Sequence, residues 1–143
     1  MKPELIIMLT YNDVTVPNAM EVFESCKDLP AQRWGFKDVG LSKEEMIQLN
    51  KAMKAAGKIT YLEVVTYTEE GCVEGAKLAG ECGFDFLTGT VYYPSVKEVL
   101  KQYGLKYFPF PYISCRIHGI FQGPLEVLGI TMIIRSIYIT ITH

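Results

Sequence analysis

Apolar and polar residues follow two alternating periods along the first 110 positions. "LIIMLTY" (5–11) is a short apolar run of strand type, and "NAMEVFESCKD" (18–28) follows it with Met20, Phe23 and Cys26 at helical spacing. "RWGFKDVG" (33–40) reads as a second strand, bounded by Pro30 and Gly40. Ser42 and Glu45 form a capping box ahead of a helix whose Met46, Leu49, Met53 and Ala56 share one face and which Gly57 ends. "KITYLEVVTY" (58–67), β-branched and aromatic, predicts the third strand. Thr68, Glu69 and Glu70 open the next helix, with the acids at the positive end of its dipole. Its body, "GCVEGAKLAGEC" (71–82), carries small residues suited to a close approach to a sheet, and Gly83 ends it. "FDFLTGTVYY" (84–93) predicts the fourth strand. "SVKEVLKQY" (95–103) predicts a helix with a second capping box, Ser95 and Glu98, and a terminal Gly104. "LKYFPF" (105–110) opens a fifth strand.

Four βα units and the start of a fifth predict an α/β protein with a parallel sheet and helical crossovers, either an open doubly wound sheet or part of a (βα)8 barrel. No Gly-x-Gly-x-x-Gly or P-loop follows the first strand, where "TYNDVTVPNA" stands, and the nucleotide-binding reading loses weight accordingly.

The pattern changes at Pro111. Residues 111–143 hold one acidic residue, Glu126, and nine isoleucines, against fifteen acids and four isoleucines in residues 1–110. Ile137, Ile139 and Ile141 alternate with Tyr138, Thr140 and Thr142, which predicts a strand in an atypical β-rich tail. Arg135 and the threonines keep this stretch short of the roughly 18 uncharged apolar residues that read as a membrane helix. The chain therefore divides into residues 1–110 and a tail of 111–143. Two origins fit that tail: a truncated or frame-shifted ending, or a divergent one whose extra strands cover the sheet.

A net charge of −2 without a Lys/Arg cluster gives no electrostatic reason to expect nucleic acid. Cys26, Cys72, Cys82 and Cys115 lie far apart, the usage of free thiols in a reducing compartment. "MKPELIIMLTY" has five consecutive apolar residues, too few for a signal-peptide core, so a cytoplasmic protein away from the membrane is expected.

"LIIMLTYNDVTVPNAMEVFE", "RWGFKDVGLSKEEM", "YLEVVTYTEEG" and "GFDFLTGTVYYPSV" together resemble the first four βα units of the ribulose-phosphate-binding (βα)8 barrels. The resemblance covers residues 1 to about 110 and implies the N-terminal half of a TIM barrel. It also implies a lyase, aldolase or isomerase acting on a small phosphorylated sugar or keto acid at the C-terminal ends of the strands. The phosphate grip of that group lies after strands seven and eight, and a complete barrel needs about 200–250 residues. Half a barrel leaves two sheet edges to be covered by the tail or by another copy, so a homo-oligomer is expected.

Strand ends supply the candidate residues. Lys37 ends the second strand, sharing a face with Gly35, whose missing side chain is expected to leave room beside it. Glu63, on the third strand, shares a face with Tyr61 and Val65 and is the expected partner of Lys37. Lys37 would polarise a carbonyl or steady an enolate while Glu63 moves the proton. Asp13, Asp38, Thr88 and Thr90 are the substrate-binding candidates, with Asp38 alternating away from Lys37. The structural alternatives are an ion pair for Lys37 and Glu63, turn chemistry for Asp13, and ordinary strand preference for the threonines. Trp34 reads as core. His118 and His143 stand without a ligand pattern, so no metal is expected, and no motif calls for an organic cofactor. The rival function is a non-catalytic, truncated or oligomerising barrel fragment.

Overall fold

The structure, a computed structural model, describes residues 5–110 and the backbone at 126–127 and 130–131. In chain order the elements are β1 (Ile6–Met8), β2 (Thr10–Tyr11), β3 (Val14–Thr15), α1 (Ala19–Cys26), β4 (Arg33–Lys37), α2 (Lys43–Ala55) and β5 (Ile59–Glu63). They continue with α3 (Glu69–Glu81), β6 (Phe86–Val91), α4 (Pro94–Tyr103), β7 (Lys106–Phe110), β8 (Glu126–Val127) and β9 (Ile130–Thr131).

β1, β4, β5, β6 and β7 form one parallel sheet in that order, and four helices link its neighbouring strands. Each βα unit lays its strand beside the previous one. Trp34, Phe36, Leu62 and Leu87 join Phe23, Leu49, Met53, Ala76, Ala79 and Leu100 from all four helices in a single core. With every crossover of the same hand, the helices collect on one face of the sheet. The opposite face is left to Lys37, Tyr61, Glu63 and their row neighbours.

Local chemistry explains most boundaries. Ser42 and Glu45 complete the capping box of α2, and the Thr68 hydroxyl accepts from the Gly71 N–H at 3.2 Å to cap α3. Gly104 takes the left-handed conformation that closes α4. The small face of α3 does bring it close: a Cβ on Gly75 would lie 2.7 Å from Val64 Cγ1.

Several boundaries differ from expectation, and three have a clear local cause. The first apolar run ends as a strand at Met8, and Thr10–Tyr11 instead pairs antiparallel with Val14–Thr15. The reason is a tight turn at Asn12 and Asp13, both at positive φ. β5 stops at Glu63, and residues 64–67 pass into the loop that feeds the Thr68 cap. Ser95 caps nothing, because Pro94 occupies the first turn of α4, where a missing N–H is harmless. Tyr93 becomes the N-cap, Ser95 donates to Glu69 at 2.5 Å, and Glu98 pairs with Lys101 at 2.7 Å.

β8 and β9 pair antiparallel. The strand expected over 137–142, Cys115, His118 and His143 lie outside the described residues. Among the described residues no helix is long and apolar enough to cross a membrane, and Cys26, Cys72 and Cys82 are free thiols.

Candidate functional site

At the C-terminal ends of the parallel strands the register sets four residues in a row: Lys37 beside Glu63, Glu63 beside Thr88, and Thr88 beside Phe108. Parallel pairing puts such partners on the same face, here the one turned from the helices. Lys37 and Glu63 are only 6% and 5% exposed. Register makes Glu63 the strand neighbour of Lys37, and a buried charge of either sign needs a partner to offset its desolvation.

The next row toward the strand starts is Met8, Gly35, Tyr61, Phe86 and Lys106. Tyr61 and Phe86 stack at 4.5 Å, Lys106 Nζ lies 5.2 Å from the Phe86 ring centre, and Arg33 donates to the Tyr61 hydroxyl at 2.6 Å. This row fills the space that Gly35 was expected to leave beside Lys37. A Cβ at Gly35 would meet the Tyr61 carbonyl oxygen at 2.7 Å and Met8 Sδ at 2.9 Å. Gly35 thus permits close strand packing rather than a pocket.

The β2–β3 hairpin closes over the end of β4. The Thr15 hydroxyl donates to the Lys37 carbonyl at 2.8 Å and accepts from the Lys37 N–H at 2.9 Å. Thr15 N–H donates to the Val39 carbonyl at 3.0 Å. At the tip of the same hairpin the Asp13 carboxylate forms an ion pair with Lys37 Nζ. Lys37 therefore has a second acidic neighbour besides its register partner Glu63. Thr15 escaped the sequence reading although "YNDV" carried a signal, since an Asn-led two-residue turn between β-formers marks a hairpin.

The other candidates separate. Asp38 lies one residue beyond β4, where its N–H donates to the Glu63 carbonyl at 3.2 Å. Burial pushes its carboxyl up, against the opposing pull of its own backbone N–H and the Lys37 charge. Thr88 stays in the row with Glu63. Thr90 does not: its hydroxyl sits 3.0 Å from that of Tyr107, which donates to the Val91 carbonyl at 2.8 Å. Tyr107 packs against the helical core, so Thr90 serves that side of the sheet. The cause is an irregularity in β6 between Thr88 and Val91, where Gly89 takes φ +91°. A bulge breaks the two-residue alternation that would have kept both threonines on one face.

Chemically, the row offers the Lys37 ammonium group, the Glu63 carboxylate and the Thr88 hydroxyl, and the hairpin adds the Asp13 carboxylate. Burial pushes the Cys72 and Cys82 thiols up, away from the thiolate form that nucleophilic catalysis uses. Among the described residues no group of three or more His, Cys, Asp or Glu is placed to hold a metal ion. A cavity of about 670 Å³ opens at the opposite end of the sheet, lined by Arg33, Lys54, Lys58, Lys106 and Asp85 among others. Its cations largely serve the fold: Lys54 pairs with Asp85 at 2.9 Å, and Lys58 donates to the Leu29 and Ala31 carbonyls. No family model, curated protein or solved structure matches the chain.

Proposed function

We propose that the protein is a lyase, aldolase or isomerase moving a proton next to the carbonyl of a small phosphorylated sugar or keto acid. In this reading the five parallel strands are the N-terminal part of a TIM barrel. Sequential strand order and helices gathered on one face support that architecture. The observation that carries the reaction is the buried Lys37 and Glu63 side by side at the C-terminal strand ends. Lys37 polarises the substrate carbonyl and holds the developing enolate, Glu63 takes and returns the proton, and Thr88 donates to a substrate oxygen. The reading calls for no cofactor.

Exchange of carbonyl-adjacent protons in deuterated water, followed by proton NMR, tests it on a panel of ketose phosphates and 2-keto acids. The parent chain should exchange at least one member, and Lys37→Met and Glu63→Gln should slow that exchange by about 10²-fold or more. A panel with no exchange, or variants as fast as the parent, would overturn it. The second reading is a non-catalytic fragment or oligomerising protein, in which the Asp13–Lys37 ion pair simply fastens the hairpin to the sheet. A chain that folds, assembles as a homo-oligomer and leaves the whole panel unexchanged favours that reading.

A further inference from the structure

We propose that Asp13 is a positioning residue for Lys37, standing in the hairpin turn for its charge rather than for its backbone preference. The inference rests on the reading of Lys37 given above and deepens it. Asn12 and Asp13 sit at φ 47° and φ 67° between the paired Tyr11 and Val14, a two-residue turn with both central residues left-handed. Glycine is the residue such a turn favours at its second position, because it reaches positive φ without a steric penalty. Aspartate enters the left-handed region more readily than most residues, yet it ranks behind glycine at this position, so backbone preference alone does not select it.

Its side chain supplies the compensating interaction. Asp13 is 84% exposed, yet its carboxylate reaches inward to a Lys37 side chain that is only 8% exposed. The same hairpin holds both the N–H and the carbonyl of Lys37 through Thr15, so one short element fixes this residue at its backbone and at its ammonium group. Gly40 seats the following loop against the hairpin: a Cβ there would meet the Thr15 carbonyl oxygen at 2.4 Å. The hairpin is thus anchored at its base, and Asp13 at its tip aims the lysine.

Competitive labelling of the folded protein with a small acylating reagent, read by peptide mass spectrometry, tests the assignment without any substrate. Lys58, bonded to two backbone carbonyls, serves as the internal reference. Asp13→Gly and Asp13→Asn should both raise the labelling rate of Lys37 by about two- to fivefold, the range expected for loss of a partly exposed ion pair. Asp13→Gly should also melt at or above the parent temperature, because it improves the turn. Asn12→Gly should leave Lys37 labelling unchanged. Unaltered Lys37 labelling in both Asp13 variants would reduce Asp13 to a turn residue and overturn the proposal. So would an Asn12→Gly variant that labels as fast as Asp13→Gly. An inactive substrate panel overturns the proposed chemistry but leaves these labelling results standing, so the two failures are distinguishable.

Discussion

The Thr15 hydroxyl occupies both backbone hydrogen-bonding groups of Lys37, donating to its carbonyl at 2.8 Å and accepting from its N–H at 2.9 Å. Thr15 is 1% exposed. Thr15→Val keeps the shape and strands two buried backbone groups, which should destabilise the protein by roughly 2–3 kcal/mol. Thr15→Ser should recover most of that loss. Urea unfolding of the three proteins is the check, and equal midpoints for Val and Ser variants would show that the clamp carries no weight.

At Gly35, between Met8 of β1 and Tyr61 of β5, the sheet leaves no room for a side chain. Gly35→Ala places a methyl group 2.7 Å from the Tyr61 carbonyl oxygen, a backbone atom that cannot rotate aside. The strands must separate, at a cost of about 1–3 kcal/mol. Denaturant titration should record that loss, and an alanine variant as stable as the parent would refute the close packing.

Asp85 joins the starts of two strands. Its carboxylate accepts from the Thr60 N–H at 2.8 Å and the Thr60 hydroxyl at 3.1 Å, and it pairs with Lys54 at 2.9 Å. Burial alone would push this carboxyl up, but the Thr60 N–H and Lys54 draw it below its ordinary value. A carboxyl held low in the folded state contributes stability above its unfolded pKa and loses it as pH falls through the folded one. Asp85→Asn should therefore cost about 1 kcal/mol near neutral pH and progressively less in acid. Thermal melts across that range measure it, and a constant difference between parent and variant would contradict the assignment.

Asp38 has the opposite sign. Burial raises its carboxyl, so the ionised form is disfavoured in the fold, a penalty present above the folded pKa and absent below the unfolded one. Asp38→Asn should raise the melting temperature near neutral pH and leave it unchanged in acid. A lower melting temperature at neutral pH would instead give the Asp38 carboxylate a stabilising contact.

Tyr107 reports on the other face of the sheet. Burial pushes its phenol up to about 12, partly opposed by the hydrogen bond with Thr90. A phenol raised in the fold loses its stabilising contribution as pH climbs through that value. Ultraviolet titration should show a late ionisation that Tyr107→Phe removes, and Thr90→Val should cost about 1 kcal/mol of stability. If Thr90→Val impaired proton exchange on the panel as strongly as Glu63→Gln, Thr90 would belong to the site after all.

Much of the fold was legible because its signals are local. The capping box at Ser42 and Glu45, the glycines at 57, 83 and 104 and the small face of α3 each act within a few residues. The failures are also local in cause. Pro94 displaced the cap expected at Ser95, and the turn at Asn12 and Asp13 divided what reads as one apolar strand. For the site, counting by twos set Lys37 with Gly35 and Glu63 with Tyr61, and the strand register put both on one face; the alternation failed at Thr90 because a bulge intervenes at Gly89.

From the sequence alone, periodicity and end signals determined an α/β chain of parallel βα repeats, and they named Lys37 with Glu63 as its expected partner and Asp13 as a separate candidate. Only the tertiary structure made Asp13 the partner of Lys37 across 24 residues of chain and put Thr15 on its backbone. Side-chain period follows from backbone geometry that each residue carries with it. A contact between a turn and a distant strand depends on how the hairpin folds back over the sheet, which no run of neighbouring residues encodes.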